Sequence, residues 1–300
     1  QSNHYLFDET IIAGYSKLSY SKGKWSGTLG IRYEDSNSNG QSIGIDTVLN
    51  RRIKQFFPSA SVSRDIVKEI GIILSYSYRL DRPRYTSLNP FRYLMDAYTS
   101  FRGNPELRPE FTHSSKFSLS FKKQPFFNIE YKQTKDAMIS VAEQNDETGE
   151  GFRTNVNIDT RNILSGSLYF PLDFIPGFSG YGGIIANRIY YNSPYLDEIF
   201  EKKQWSYTAF LQAGYLLPLD IKAEASGWYN SGGMEGLLNN EWMYGISFGL
   251  SKSFFDNRLK ISFSADDVFQ RFFHGSIDYS NIHLYVISEW DAPDYSLSLT

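Results

Sequence analysis

Apolar and polar residues alternate along this chain in segments that are longer than the strands of an ordinary soluble domain. About thirteen segments have this period of two, and many run for about ten residues or more, whereas soluble strands average about 5–6 residues. We predict strands at 5–20, 24–38, 55–66, 69–82, 110–122, 126–142, 152–170, 178–193, 203–217, 220–231, 240–254, 258–275 and 280–300. A tilted strand of about ten residues is long enough to cross a bilayer.

The two faces of these segments differ in chemistry. In the segment IGIILSYSYRL, Leu74 and Tyr76 share one face, and Ser75, Ser77 and Arg79 share the other. Three other segments have an apolar face of the same kind. The rows are Trp25, Leu29, Ile31 and Tyr33 in the first, Tyr207, Ala209, Leu211, Ala213 and Tyr215 in the second, and Trp242, Tyr244, Ile246, Phe248 and Leu250 in the third. A face that carries Ser and Arg cannot be a dry core, and Trp and Tyr at the ends of an apolar face are typical of a membrane–water interface. We therefore predict that one face meets lipid and the other meets water.

Composition excludes several classes of function. The chain has 300 residues, no Cys and a formal net charge of −3, so thiol nucleophiles, disulfide frameworks and Cys-ligated metals are excluded. A nucleic-acid partner would require a basic stripe, which this charge argues against. No window approaches about 18 consecutive apolar residues, so a transmembrane helix is not expected. The four His residues are scattered without the spacing of a metal site, and we predict no metal, cofactor or catalytic site.

The connections between the segments alternate between short and long. The motifs SKGK, KKQP, LPLD and FFDN are tight and polar, and longer links are predicted at 39–54, 83–109, 143–151, 194–202 and 231–239. Short periplasmic turns and long external loops give a membrane barrel this rhythm. Two stretches have helical spacing, and we interpret 64–70 as a turn and 195–203 as a short helix within an external loop.

The stretch GNPELRPEF resembles a signature of TonB-dependent outer-membrane receptors. The matching residues of the GNPxLxPE pattern are Gly103, Asn104, Pro105, Leu107, Pro109 and Glu110. The segments FPSASVS (57–63), SYSYRLDRPRYTSLNPF (75–91) and SADDVF (264–269) are similar to the outer membrane protein β-barrel branch of that group. The resemblance covers essentially the whole chain.

The resemblance implies an all-β fold, a transmembrane antiparallel up-and-down β-barrel of the outer-membrane type. Receptors of this kind have about 22 strands and a plug inside the barrel, and this chain supplies about 13 of them. We therefore expect residues 1–300 to form the C-terminal part of a barrel whose plug, N-terminal strands and last residues lie outside this chain. Residues 83–109 are expected to form a long extracellular loop.

The resemblance also implies active uptake across the outer membrane of a Gram-negative bacterium, with no enzymatic step. External loops would capture a small solute, a glycan or a peptide, and a TonB complex would act through a plug that is not part of this chain. Outer-membrane lipid and accessory surface lipoproteins are further partners of this hypothesis. Two alternatives remain open: a self-contained passive outer-membrane porin and, less favoured, a soluble all-β carbohydrate-binding module.

Arginine and aromatic residues around the long loop are the candidate ligand contacts: Arg79, Arg82, Arg84, Tyr93, Tyr98 and Arg102. The three upstream arginines suit an anionic substrate, although pairing with lipopolysaccharide phosphates or with acidic loop residues is the favoured interpretation. The Gly and Pro residues of the signature are expected to shape turns. Direct ligand contact by Tyr93, Tyr98 or Arg102 is the alternative role for this block.

Overall fold

A computed structural model gives the chain an extended all-β architecture. The structure describes residues 4–43, 47–94, 99–145, 150–195, 198–256, 258–269, 271–280, 282–290 and 293–300. The strands within these ranges are β1 (His4–Lys22), β2 (Trp25–Ile43), β3 (Thr47–Val67), β4 (Ile70–Asp81), β5 (Arg92–Leu94), β6 (Thr99–Arg102), β7 (Glu110–Phe121), β8 (Gln124–Asn145), β9 (Glu150–Pro171), β10 (Phe178–Tyr195), β11 (Glu198–Leu217), β12 (Ile221–Asn230), β13 (Gly233–Glu235), β14 (Leu238–Asn240), β15 (Met243–Phe254), β16 (Leu259–Asp266), β17 (Arg271–Tyr279), β18 (Ile282–Trp290) and β19 (Asp294–Leu299).

Most of these strands form one antiparallel meander, which confirms the predicted all-β, up-and-down architecture. Among the described residues, the main sheet has thirteen successive strands in the order β1-β2-β3-β4-β7-β8-β9-β10-β11-β12-β15-β16-β19. β5 pairs with β6, which lies parallel to β9, and β13, β14, β17 and β18 form a second sheet of four strands. Long ladders such as β1–β2 give successive backbone groups hydrogen-bond partners, as a bilayer interior requires.

The connections distinguish the two ends of the main sheet. At the end that we call the short-turn end, the strands reverse within a few residues, as at 23–24, 68–69 and 122–123. Gly23 has φ of 60°, a conformation that glycine adopts without steric cost. At the opposite, long-connection end lie the connections 82–109, 231–242 and 267–293.

The outer face of the main sheet is a broad apolar surface, as the alternation predicts. Leu18, Leu29 and Leu74 are 68%, 60% and 50% exposed. On β11 this surface begins at Trp205 and reaches Tyr215. Ten residue steps of about 3.3 Å span about 33 Å along a strand, and a tilt of about 40° reduces this to about 25 Å, the height of a lipid-facing band.

Cations stack on the aromatic residues at both margins of this apolar band. The Arg64 guanidinium lies 4.9 Å from the ring centre of Trp25 near the short-turn end, and Lys203 Nζ lies 4.7 Å from that of Tyr190 on the other side. Side chains that combine an apolar body with a polar tip favour this boundary between hydrocarbon and water.

Helical structure is sparse among the described residues. It comprises α1 (Tyr85–Leu88) and a 3₁₀ turn at Pro218–Asp220, and neither is long and apolar enough to cross a membrane. The short helix predicted at 195–203 is wrong, because Tyr195 ends β10 and Glu198 begins β11 within one ladder. Helical spacing in so short a stretch is overridden by pairing between neighbouring strands.

Three of the predicted links are largely strand. β2 and β3 remain paired at Asn39↔Asn50 within the link predicted at 39–54, and β8–β9 and β10–β11 extend likewise into 143–151 and 194–202. The apolar alternation ends where the exposed apolar surface ends, whereas backbone pairing continues through polar sequence. The alternation therefore marks the apolar band and underestimates the strand length.

The last two predicted strands, 258–275 and 280–300, are each divided in two. β16 ends at Asp266 and β17 begins at Arg271, while β18 ends at Trp290 and β19 begins at Asp294. Asp267 interrupts the first of these with φ of 47°, and its N–H donates to Ser247 Oγ at 3.1 Å. The β17–β18 hairpin leaves the main sheet as a result and joins the second sheet.

The largest buried core lies where the second sheet packs on the inner face of the main sheet. Its best-buried members come from both sheets and are Ala137, Ile139, Val141, Ile158, Tyr191, Phe200, Ile277 and Ile282. Tyr191 shares its face of β10 with Asn187, which lines an inner cavity. The second sheet therefore covers the inner face at the long-connection end.

Candidate lumen walls and their covers

The inner face of β3, β4, β7, β8 and β9 surrounds a polar cavity of about 630 Å³. We call this surface the charged wall. Its charged side chains are the four cations Arg79, Lys116, Lys132 and Arg161 and the three anions Asp81, Glu110 and Glu130. Ser and Thr hydroxyls fill the space between them, and the opposite charges nearly cancel.

Glu110 connects three strands of the charged wall. Its side chain is largely buried, and Oε1 accepts a hydrogen bond from Arg161 Nη2 at 3.0 Å. Oε2 accepts another from the N–H of Met138 at 2.8 Å. Glu110 thus joins the start of β7 to β8 and β9.

The described parts of the connection 82–109 fold over the inner face and cover the charged wall. Leu88, Phe91 and Leu107 form a buried cluster with Tyr5 of β1, and Met138 of β8 packs against it. We call this segment the charged-wall cover. It is a packed insert with its own small core.

The first residues of the signature fasten the charged-wall cover to its surroundings. A Cβ atom on Gly103 would lie 2.3 Å from the carbonyl oxygen of Asn89, so only glycine fits there. Asn104 Nδ2 donates to the carbonyl of Asn155 at 3.1 Å, and its Oδ1 accepts from the N–H of Glu106 at 2.9 Å.

The rest of the signature continues this attachment. Leu107 is only 1% exposed, and Pro109 is buried beside it while Pro105 is half-buried. The N–H of Arg108 donates to Asn157 Oδ1 at 2.7 Å, and Asn157 Nδ2 donates back to the Arg108 carbonyl at 2.8 Å. The signature residues therefore make contacts within the protein that hold the cover in place.

The predicted ligand contacts lie in different surroundings. Arg82 bonds to Glu34, and its Nε lies 3.0 Å from Glu9 Oε1. Arg102 places its guanidinium 4.6 Å from the ring centre of Phe152. These two arginines are occupied by contacts within the protein.

The other candidates are more open or lie outside the described residues. Arg79 lines the charged cavity, Arg84 is exposed before α1, and Tyr93 is half exposed with its hydroxyl bonded to Asn89 Nδ2 at 3.0 Å. Tyr98 lies outside the described residues. Of the described candidates, only Arg79 lines the charged cavity.

A second cavity of about 460 Å³ lies on the inner face of β9–β12, beneath the β13–β14 hairpin. We call its lining the neutral wall, because amides and hydroxyls dominate it: Ser165, Asn187, Gln204, Ser206, Thr208 and Asn230. Its charged members are Lys132, which it shares with the charged wall, and Glu235 on the covering hairpin. Ser165 Oγ donates to Asn187 Oδ1 at 2.7 Å, and Asn230 Nδ2 donates to Thr208 Oγ1 at 3.3 Å.

The second sheet is the neutral-wall cover, and buried tyrosines hold it. The N–H of Gly236 donates to the Tyr191 hydroxyl at 3.3 Å, and the Tyr279 hydroxyl donates to the Tyr195 carbonyl at 2.9 Å. Gly236 has φ of 61°, and a Cβ there would lie 2.5 Å from the Ser140 carbonyl oxygen. Burial raises the pKa of Tyr191 and, more strongly, that of Tyr195.

Sequence reasoning missed several features of the inner face. Within the described ranges, no group of three or more His, Asp or Glu side chains could hold a metal ion. The inner-facing rings of Tyr169, Phe210 and Trp228 were not identified from the sequence. Alternation could have found Phe210, because it shares its strand face with Ser206 and Thr208 rather than with Tyr207.

Comparisons with known proteins agree with this architecture. A family model described as the outer membrane protein beta-barrel family matches residues 1–300. The FrpB iron transporter of Neisseria meningitidis (F3-3 variant) is similar in structure, with a TM-score of 0.60 and 15% identity over 97% of this chain and 45% of its own. The siderophore receptor PirA of Pseudomonas aeruginosa has a TM-score of 0.50 and 11% identity over 88% of this chain and 54% of its own. The chain thus spans about half the length of these structures, and no curated protein matches it.

Proposed function

Because the chain belongs to the outer membrane protein beta-barrel family, we propose that it supplies the barrel wall and external connections of an active transport receptor for TonB-dependent uptake of a solute. The protein lies in the outer membrane of a Gram-negative bacterium. In this proposal the apolar outer face contacts lipid and the polar inner face lines the lumen. We assign it no catalytic step.

The chain forms part of a larger barrel in this proposal. One observation supports this: the similar structures are about twice as long. β1 and β19 form the two edges of the main sheet among the described residues. Further strands would pair with these edges, and a plug in the lumen would transmit the pull of the TonB complex. The long-connection end, with 83–109, would face the exterior, because short turns of such barrels face the periplasm.

The observation that carries the proposal is that both covers fold inward at the same end of the sheet. The charged-wall cover and the neutral-wall cover each pack a hydrophobic core against the inner face. A passive porin requires an open water path, whereas a receptor that binds its solute before admitting it requires a closed entrance. Inward-packed inserts favour the receptor.

Uptake in living cells tests the proposal. Growth of strains with and without the gene on a panel of limiting nutrients identifies a responding solute, and its labelled form is then followed into the cells. We expect uptake to stop when the TonB gene is deleted or a protonophore is added. Uptake that survives both treatments, together with steady ion currents from the purified protein in planar bilayers, would identify a passive porin instead.

A further inference from the structure

Three aromatic side chains form a row across the inner face of the main sheet. The strand register places Tyr169 opposite Gly183, Gly183 opposite Phe210, Phe210 opposite Trp228, and Trp228 opposite Gly245. Residues directly opposite each other point to the same side of a sheet. All three rings therefore lie on the face of the neutral wall, one level closer to the short-turn end than its cavity.

The rings lie flat against the wall. A Cβ atom on Gly183 would approach Phe210 Cζ to 2.7 Å and Tyr169 Cδ1 to 2.8 Å, and one on Gly245 would approach Trp228 Nε1 to 2.5 Å. The rings thus occupy the space above these glycines instead of projecting into the lumen. Each ring is half-buried, which leaves part of its surface accessible from the lumen.

Hydrogen-bonding side chains stand directly above this row, toward the long-connection end. Thr208 and Asn230 lie two residues beyond Phe210 and Trp228, and the next row is Ser165, Asn187 and Ser206. Successive rows are about 7 Å apart, because each strand residue advances about 3.3 Å. A cyclic solute that rests on a ring can therefore reach the amides and hydroxyls above it.

One polar group in this cavity lacks a partner. Asn240 lines the neutral cavity, and its Oδ1 is buried without a hydrogen-bond partner among the described residues. An unsatisfied buried acceptor is costly, and a turn of the Asn240 side chain toward the cavity would let a ligand hydroxyl satisfy it. The lining around it is mainly amides and hydroxyls, with Lys132 and Glu235 as its charged members, so a neutral hydroxyl fits this environment.

We propose that the neutral wall and its row of rings form a binding subsite for a neutral saccharide. Aromatic faces cover the apolar face of a sugar ring, while amides and hydroxyls exchange hydrogen bonds with its hydroxyl groups. The cavity of about 460 Å³ lies within the range of about 300–1,000 Å³ for small-molecule sites. This inference rests on the proposed transport function and names its substrate class.

A glycan array tests the subsite. The full outer-membrane protein that carries these residues is purified in detergent, labelled and applied to neutral, sialylated and sulfated glycans. The best neutral glycan is then titrated by calorimetry against the protein and its Phe210→Ala and Asn187→Ala variants. We expect neutral glycans to bind and each variant to weaken binding about tenfold, the effect of losing one stacking or hydrogen-bonding group.

Two matched variants serve as controls. Tyr207→Ala removes a ring from the outer face of the same strand, and Lys116→Gln alters the charged wall alone, so both should leave the affinity unchanged. Folding of each variant is checked by its heat-sensitive mobility on a gel. If Phe210→Ala fails to fold, Phe210→Leu keeps most of the volume and removes the ring.

Three outcomes would overturn the subsite: binding of acidic glycans only, binding of no glycan, or neutral binding that persists in both the Phe210 and the Asn187 variants. The uptake experiment separates these results from the transport proposal. Energy-dependent uptake of a different solute, without glycan binding, would contradict the subsite proposal and support the receptor proposal. Glycan binding together with passive uptake would support the subsite and contradict the receptor proposal.

Discussion

The charged wall and the neutral wall share β9 but satisfy their polar groups by different means. In the charged wall, Glu110 pairs with Arg161 at 3.0 Å and Glu130 with Lys132 at 3.5 Å. In the neutral wall, Ser165 and Asn187 bond to each other at 2.7 Å. Removing one partner of an ion pair leaves an uncompensated charge, whereas hydroxyls and amides can exchange partners with a ligand at little cost. The comparison indicates that the charged wall holds strands together and that the neutral wall is available for binding.

The two covers also differ in the interactions that attach them to the main sheet. The charged-wall cover is fastened mainly by hydrogen bonds from the signature residues and by the small cluster around Leu107. The neutral-wall cover rests on the larger apolar core and its buried tyrosines. Separate substitutions should therefore release the two covers independently, since distant sites with no shared partners act additively.

The largest effect is expected from Glu110→Ala. It leaves Arg161 without its carboxylate and the Met138 N–H without its acceptor, so stability should fall by about 3 kcal/mol, at the lower end for buried pairs because Arg161 reaches solvent. Urea unfolding of the full protein in detergent measures this loss. Glu130→Ala is the matched control, because Glu130 is more exposed and should cost about 1 kcal/mol or less. Equal losses would contradict a structural role specific to Glu110.

Leu107→Ala should release the charged-wall cover alone. Leu107 is 1% exposed, and truncating a buried leucine costs about 2–5 kcal/mol, here toward the lower value because the cluster is small. Trypsin should then cleave after Arg92 and Arg102, while the second sheet stays protected. Leu94→Ala, at a position 72% exposed in the same segment, should change neither result. Simultaneous release of both covers would show that they are one unit.

Alkaline pH should weaken the attachment of the neutral-wall cover more than that of the charged-wall cover. Burial raises the pKa of Tyr195 strongly above the usual value of about 10, and it raises that of Tyr5, the β1 residue that packs against the charged-wall cover, less. The neutral phenols stabilise the fold fully below pH of about 10, and this contribution is lost as the pH rises from there toward the folded-state pKa. Urea unfolding at pH 8 and 11 should show a smaller pH-dependent loss in Tyr195→Phe than in Tyr5→Phe. A larger pH-dependent loss in Tyr195→Phe than in Tyr5→Phe would contradict this prediction.

The smallest effect is expected from Glu201→Gln on the outer side of β11. Glu201 pairs with Lys203 at 2.9 Å, but both side chains are half exposed, and such solvent-screened pairs contribute little to stability. The hydrogen bond from Lys203 lowers the pKa of Glu201, so even this small contribution should fade as the pH drops below about 4. A loss of stability in urea unfolding as large as that of Glu130→Ala would show that ion pairs outside the inner walls also matter.

The alternation of bulky and small residues was enough to predict the meander and its two faces. Leu74 is exposed on the apolar face while its neighbour Ser75 lines the charged cavity, as their spacing requires. The candidate site was harder to predict. Arg79 was placed on the inner face correctly, but the acidic partners of Arg82 come from β1 and β2, far away in the chain.

The sequence by itself determined the all-β class and the separation of an apolar face from a polar face, because a strand with one apolar face must repeat every two residues. Only the tertiary structure decided where the long connections go. Hairpins such as β17–β18 and the segment around Leu107 carry no period that reveals their partners, since their apolar residues pack on strands distant in sequence. The neutral wall and its rings arise in the same way, because strand register alone brings Tyr169, Phe210 and Trp228 to one level.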